Sequence, residues 1–392
     1  MKLTKTEARR LIISASGLHK SIPFGTGLSA VQRAIRHLGY VQIDTISVVE
    51  RAHHHVLASR IPGYQIKYID HLQKQAKILE YWSHAAAYLP MEDYRYTLPL
   101  KQHFRDLKDR WPKSDQKIMA AVLERIRQEG PLMARDFENP GDRNRQGWWD
   151  WKPAKLALER LFFQGSLVTI GRKGFQKIYD LPENYIPSHV NVSTPSENEY
   201  ADYLINRALR SHGIVSFSEM TYLQKVKKHI ADFLNDKLKK KEIQRVDVEG
   251  VSGGPYFIDP SSLEQPMRLT SPLKILSPFD NLTIQRNRLR NFFDYEYQIE
   301  CYVPSSKRIY GYFCLPILNR DHFIGRVDIK ADRKNSALII NNIFFENEKA
   351  KDVPPVKYSK AIIEFAEFNQ CPNISVKKSS DDLLTKEIML NI

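Results

Sequence analysis

Gln42 and Asp44 are separated by a single apolar residue, Ile43. Val41, Ile43 and Ile46 are β-branched, so a short strand is expected here. Side chains at i and i+2 of a strand point to one face, which would aim an amide and a carboxylate into one cavity. On a helix the same two would lie about 200° apart and could not cooperate. A helix is expected to follow directly, because Ile46, Val49, Ala52, His53 and Val56 fall at helical spacing. Two readings of the pair stand. Asp44 is either the N-cap of that helix, with Gln42 merely solvated, or half of a reactive site.

Other chemistry-bearing residues are weaker signals. His53, His54 and His55 are adjacent, and neighbours on a helix point about 100° apart, so the three cannot converge on one metal ion. His53 or His54 could still face the cavity or contact DNA. No HExxH, paired CxxC or acidic ligand cluster occurs, so no metal is expected. No GxxxxGK[ST], GxGxxG or GxSxG occurs, which argues against ATP-driven, nicotinamide-dependent and acyl-hydrolase chemistry and leaves no cofactor implied. No lysine stands out as a Schiff-base former. Tyr81, Trp82, His84 and Tyr88 fall on one expected hairpin, where core packing competes with a stacking role beside an extruded nucleotide.

Several basic groups could track phosphates. Lys225, Lys227 and Lys228 open a segment that continues through Lys237, Lys239, Lys240, Lys241 and Arg245, against Asp232, Asp236 and Glu242. It reads either as a DNA-contacting helix or as a solvated face. Arg172, Lys173 and Lys177 surround Phe175 at an expected wing tip. Arg143, Arg145, Trp148, Trp149, Trp151 and Lys152 mix cations with aromatics, a combination suited to backbone contact and stacking or to a tryptophan core.

The elements that would position these groups recur in one order. Thr4 and Glu7 form a capping-box pattern that opens a helix over 4–16. Leu28 to Leu38 is a second helix closed by Gly39. Ile66 to Gln75 is another, and two strands follow over 77–90. This first unit ends near 110 and is winged-helix-like. In 111–192, helices over Asp115–Glu129 and Pro153–Gln164 precede a hairpin, Leu167–Leu181, that turns at 172–174. In 193–265 the order repeats: helices over Glu197–Ser211, Ser216–Tyr222 and Val226–Lys239, then a hairpin over Ile243–Ile258. From 266 to 372 the composition is β-rich, with strands expected over YEYQIECYVP, RIYGYFCLPIL, HFIGRVDIKAD and SALIINNIFF, then a helix over Val356–Phe368. Residues 373–392 read as a loosely held tail. The fold class is therefore α+β, with three tandem winged helix-turn-helix domains and a small β-rich, barrel-like C-terminal domain.

Four segments, LGYVQIDTISVVERAHHHV, EYWSHAAAYLPMEDYRY at 80–96, SPFDNL at 277–282 and GRVDIKADR at 325–333, together resemble the YcaQ-like winged-helix DNA glycosylases. These are bacterial crosslink-repair enzymes related to the azinomycin-resistance glycosylase. The resemblance runs in order from about residue 5 to 370. In that family a Gln-apolar-Asp or Gln-apolar-Gln motif carries the chemistry, and Gln42-Ile43-Asp44 is the Asp form. The resemblance implies a monofunctional glycosylase that hydrolyses the N-glycosidic bond of N7-alkylated purines, bulky adducts and interstrand crosslinks included. Asp44 would stabilise the sugar oxocarbenium ion and take a proton from water that Gln42 holds. It also implies an open, shallow site, since a crosslinked base cannot be enclosed in a deep pocket.

Composition fits a polyanionic partner, which the resemblance implies is double-stranded DNA. The chain has 392 residues, with 59 Lys and Arg against 45 Asp and Glu, a net charge of +14. Its 42% apolar content can build cores, and its length suggests two to four domains. Cys301, Cys314 and Cys371 have no metal spacing and leave one thiol over, as in a reducing cytoplasm. No signal peptide or apolar run of membrane length is visible. No heptad seam is present, so a monomer is expected. The alternative function is a winged-helix transcription regulator without catalysis.

Overall fold

A computed structural model of the chain describes residues 1–107, 113–137, 152–223, 226–264 and 268–392. The cluster of Arg143, Arg145, Trp148, Trp149 and Trp151, and also Lys225, lie outside the described residues. The chain divides into two compact units, 1–65 with 201–392, and 66–200. That division cuts the expected first unit, 1–110, after residue 65.

The first unit begins with strand β1 (Lys2–Leu3) and helix α1 (Lys5–Ala15), whose N-cap Thr4 and Glu7 complete the expected capping box. Helix α2 (Gly27–Leu38) ends where Gly39 takes φ +75°, a left-handed conformation that costs glycine least. Strand β2 (Val41–Gln42) follows. The next helix, α3, covers only Ala52–Ala58, so the helix expected directly after Asp44 starts eight residues later.

In the second unit, helix α4 (Lys67–Lys74) leads into an antiparallel hairpin of β3 (Ile78–Trp82) and β4 (Ala86–Pro90), with Ile78 opposite Pro90. Helix α5 (Leu98–Asp106) has proline in its first turn, where a missing N–H costs nothing. Helix α6 (Lys113–Glu129) buries Met119, Val122 and Ile126 on one face. Then come β5 (Leu132–Met133), α7 (Lys152–Gln164), β6 (Val168–Lys173), β7 (Gln176–Asp180) and α8 (Pro182–Tyr185). The sheet order is β5-β7-β6. Tyr81 of β3 packs on Phe162 of α7 with ring centres 5.4 Å apart, and its hydroxyl donates to the Phe163 carbonyl at 2.7 Å.

Helix α9 (Glu197–His212) returns the chain to the first unit, followed by β8 (Val215–Ser216), α10 (Phe217–Met220), α11 (Lys227–Lys239), β9 (Gln244–Val248) and β10 (Tyr256–Ile258). Their sheet has the order β1-β9-β10-β8, with β1 parallel to β9. Next are β11 (Lys274–Ile275), α12 (Arg286–Phe293), β12 (Cys314–Asn319), β13 (His322–Asp332), β14 (Ala337–Phe345), α13 (Pro355–Phe368), β15 (Asn373–Val376) and α14 (Asp382–Met389). The five strands run β11-β12-β13-β14-β15 from edge to edge without closing, antiparallel except for β14 with β15.

Four expectations for this region need correction. YEYQIECYVP is not a strand, and only Cys314 onward of RIYGYFCLPIL is. Helix α12 lies where none was expected. The tail is ordered, since β15 extends the sheet and Leu384 and Ile388 of α14 are buried in the core that joins sheet and α13. Among the described residues, no helix is long and apolar enough to cross a membrane.

Candidate active site

Gln42 ends β2 and is only 9% exposed. Ile43 is buried, and Asp44 is half-buried in the irregular segment that follows. Asp44 does not cap a helix, because the N-cap of α3 is Arg51. Its Oδ2 instead accepts from the Ile46 N–H at 3.2 Å, an i to i+2 turn of the kind short acids make. Burial raises the Asp44 pKa above the usual carboxylate range, and backbone N–H groups of Thr45 and Ile46 oppose that rise. The carboxylate also bears on neighbours. Burial first, and the Asp44 charge second, raise the Cys301 thiol, and the same charge adds to the rise at Tyr302. Tyr302 is 75% exposed. Asp44 therefore sits at the rim of the surface, partly desolvated and within electrostatic reach of an exposed aromatic side chain.

The segment bearing the motif is held on both sides. Before it, Asn281 Nδ2 donates to the Tyr40 carbonyl at 3.1 Å. The neighbouring Asp280 makes a two-pronged ion pair with Arg60, at 2.6 and 2.9 Å, with both side chains fully buried. Arg60 also donates to the carbonyls of Ser16 and Val56, which ties the loop after α1 and the end of α3 to the SPFDNL segment. After the motif, the Ala331 N–H donates to the Val48 carbonyl at 2.8 Å, and Asn369 Oδ1 accepts from the Glu50 N–H at 2.7 Å. Arg333 approaches the Ser47 carbonyl and Glu50 Oε2, each at 3.4 Å. Reading the sequence alone missed Arg60, Asp280, Asn281, Arg333 and Asn369. Four of these positions could have been suspected: Asp280 and Asn281 are in SPFDNL, Arg333 ends GRVDIKADR, and Arg60 falls just after the histidines.

The histidines are inward. His53, His54 and His55 are all at most 6% exposed. His54 Nδ1 and the Tyr64 hydroxyl are 2.7 Å apart, and His55 Nε2 meets the Ile275 carbonyl at 2.8 Å. Burial pushes the His54 pKa down to about 3 and His55 to about 4, so neither offers a cation near neutral pH. His53 is buried as well, with its ring 4.1 Å from that of His54.

The wing-tip basic residues separate. Arg172 donates to both carboxylate oxygens of the buried Glu80, at 2.8 and 2.7 Å, and Lys177 reaches Glu80 at 3.4 Å while lying 4.1 Å over the Phe162 ring. Both are engaged inside their own unit. Lys173 at the hairpin end is exposed, as are Lys227 and Lys228 in the first turn of α11. Lys237 is bridged to Asp202 at 2.8 Å and Glu242 at 3.0 Å. Among the described residues no group of three or more His, Cys, Asp or Glu could hold a metal.

A mixed α+β chain with a partly desolvated acid near an exposed tyrosine, and lysines exposed on separate helices and hairpins, has the parts of a DNA-processing enzyme. The sequence matches the DNA glycosylase AlkZ-like family over residues 35–353, and the chain belongs to that family. It is a DNA glycosylase. The fold is similar to that of Streptomyces sahachiroi DNA glycosylase AlkZ, with a TM-score of 0.65 and 17% identity, covering 96% of this chain and 100% of that one.

Proposed function

We propose that this chain hydrolyses the N-glycosidic bond of N7-alkylated purines in double-stranded DNA, with Asp44 as the group that acts on the sugar and water and Gln42 as the group that holds the water. The observation that carries the reading is the half-buried Asp44 carboxylate, free of any helix cap, with the exposed Tyr302 within reach of its charge.

The chemistry follows from the leaving group. N7 alkylation makes the purine cationic. When the C1′–N9 bond breaks, its electron pair goes to the base and neutralises it, so no strong general acid is required. The remaining difficulty is positive charge on the sugar. A carboxylate in a partly desolvated position stabilises it more than one in bulk water would. Water then adds to C1′, and its proton passes to Asp44, leaving an abasic site and the free alkylpurine. Burial makes this carboxylate a better proton acceptor than an ordinary aspartate. The position of Asp44 at the rim of the surface supports action on bulky and crosslinked bases, which cannot be swallowed whole. The exposed Lys173, Lys227 and Lys228 would grip phosphates with little sequence preference. In this reading the protein works as a monomer in the cytoplasm, and its helix-and-hairpin segments serve as three winged helices around the duplex.

The test incubates N7-methylguanine duplex DNA with wild type, Asp44→Asn and Gln42→Ala, then counts abasic sites after alkaline cleavage. Wild type yields them, and Asp44→Asn is slower by at least about 10²-fold. The rate should fall on the acidic side with a midpoint above the usual aspartate range, and that limb should vanish in Asp44→Asn. An Asp44→Asn rate equal to wild type refutes the assignment.

A further inference from the structure

The segment from Tyr40 to Glu50 is a mostly irregular strap, with Ile43 buried and Ile46 and Val48 packed against the core of the C-terminal sheet. It has regular structure only at Val41–Gln42, and no helix begins until Ala52. Asp44 lies four residues from Tyr40 and four from Val48. At Tyr40 the strap is held by the Asn281 amide, and at Val48 and Glu50 by Ala331 and the Asn369 amide. Between these anchors the Asp44 carboxylate bonds locally, to backbone N–H groups of Thr45 and Ile46. The orientation of the carboxylate therefore depends on how this strap is seated, and its two pinned ends are part of that seating.

Resting on the catalytic reading of Asp44 above, we infer that Asn369 is a positioning residue for the reaction: it fixes the C-terminal end of the strap and thereby the aim of the Asp44 carboxylate. Asn369 is fully buried at the end of α13 and uses both ends of its amide. Its Nδ2 donates to the Phe365 carbonyl at 2.8 Å, which locks the side chain to its own helix. Its Oδ1 is then presented to the Glu50 N–H at 2.7 Å. Arg333 gives a second, weaker hold through the Ser47 carbonyl and the Glu50 carboxylate. Val49 and Ala52 are buried in the same core as Ile329, Ala331 and Phe365, so the strap also has an apolar footing. This gives the C-terminal sheet and α13 a catalytic purpose. They are the wall on which the motif is mounted, and the last residue of GRVDIKADR is part of the mounting.

A misplacement of about 1 Å at a reacting group can cost about 10²-fold in rate. Removing one of several anchors should cost less, so a loss of about 10-fold is expected. The experiment compares wild type, Asn369→Leu and Arg333→Gln in single-turnover cleavage of N7-methylguanine duplex, with duplex affinity measured in parallel. Ser359→Ala is the stability control. Ser359 donates to the Ile388 carbonyl at 2.7 Å and the Pro355 carbonyl at 3.1 Å, inside the same core. The expected result is a single-turnover rate about 10-fold lower for Asn369→Leu and a smaller loss for Arg333→Gln. Affinity should be unchanged, and Ser359→Ala should be destabilised yet react at the wild-type rate. The acidic limb of the pH profile should also move in Asn369→Leu, because the carboxylate changes surroundings, and a merely structural role would not move it. Should Asn369→Leu not fold, Arg333→Gln at the partly exposed edge decides alone. Rates within about 2-fold of wild type in the folded variants overturn the inference and leave the catalytic reading of Asp44 intact. Wild type without product overturns both.

Discussion

Charge neutralisation at the Arg60–Asp280 pair should be among the most damaging single changes in this protein. Both side chains are fully buried, and two charge-assisted hydrogen bonds at 2.6 and 2.9 Å join them. Asp280→Asn keeps the shape and the acceptor for the Leu282 N–H, but it leaves a guanidinium in the interior without its counter-charge. Breaking a buried pair from one side costs about 3–5 kcal/mol. For a body of this size that corresponds to roughly 10 °C in Tm. Arg60→Met should also be costly, because the Ser16 carbonyl then loses the donor it has in Arg60, a penalty of about 1–3 kcal/mol. The double variant Arg60→Met/Asp280→Asn removes both charges at once. It should recover much of the loss without reaching wild type, since the Ser16 carbonyl stays unmatched. Thermal melts and urea titrations of the four proteins complete the cycle. A cost below about 1 kcal/mol for Asp280→Asn, or a coupling energy within about 0.5 kcal/mol of zero, would refute this account of the pair.

Two further outcomes concern charge. Lys227→Ala and Lys228→Ala should each lower the salt slope of duplex binding by about 0.9 for every phosphate the missing ammonium had neutralised, whereas Arg172→Ala should leave the slope unchanged and lower thermal stability through Glu80. Fluorescence anisotropy across salt concentrations checks both halves. Lys101 is 1% exposed, 3.9 Å over the Tyr94 ring and 4.7 Å over Tyr81, and burial, with Arg105 adding, pushes its pKa down to about 7. An unfolded lysine titrates near 10.4, so between those values the unfolded chain binds the extra proton. Stability should therefore rise as pH climbs from about 7 toward 10, and Lys101→Met should flatten that slope in urea titrations.

The parts of the fold that were legible in the sequence are those in which one segment decides its own structure. The capping box at Thr4 and Glu7, the glycine stop at Gly39 and the hairpins at 78–90 and 168–180 are local devices, and each lies close to its expected bounds. Errors arose where burial comes from a distant segment. Ile46, Val49 and Ala52 repeat every third residue, which mimics a helix, yet the first two face the core of the C-terminal sheet from an irregular strap. In YEYQIECYVP, burial does alternate, but Tyr295 and Tyr297 are buried as a ring stack, 5.7 Å apart and nearly parallel, with Arg326 close to each ring. Their hydroxyls bond to the Gly325 and Cys314 carbonyls, so the period of two comes from aromatic packing, not a backbone ladder. The residues of the motif were visible in the sequence. The anchor at Asn369 was not, because it lies 319 positions from the Glu50 amide it holds.

Strand β1 lies beside β9, and Leu3, Ile12, Ile13 and Leu18 share a core with Val246, Val248 and Ile258. A ribosome that has released residues 1–65 has delivered half of an interior whose other half is still untranslated. At about 5–20 residues per second the wait is on the order of ten seconds to a minute. During it residues 66–200 emerge with every strand partner of their own β5-β7-β6 sheet, so they can consolidate ahead of the piece that precedes them. The nascent N-terminal stretch needs shielding until then, and chaperone demand should concentrate on these early greasy helices.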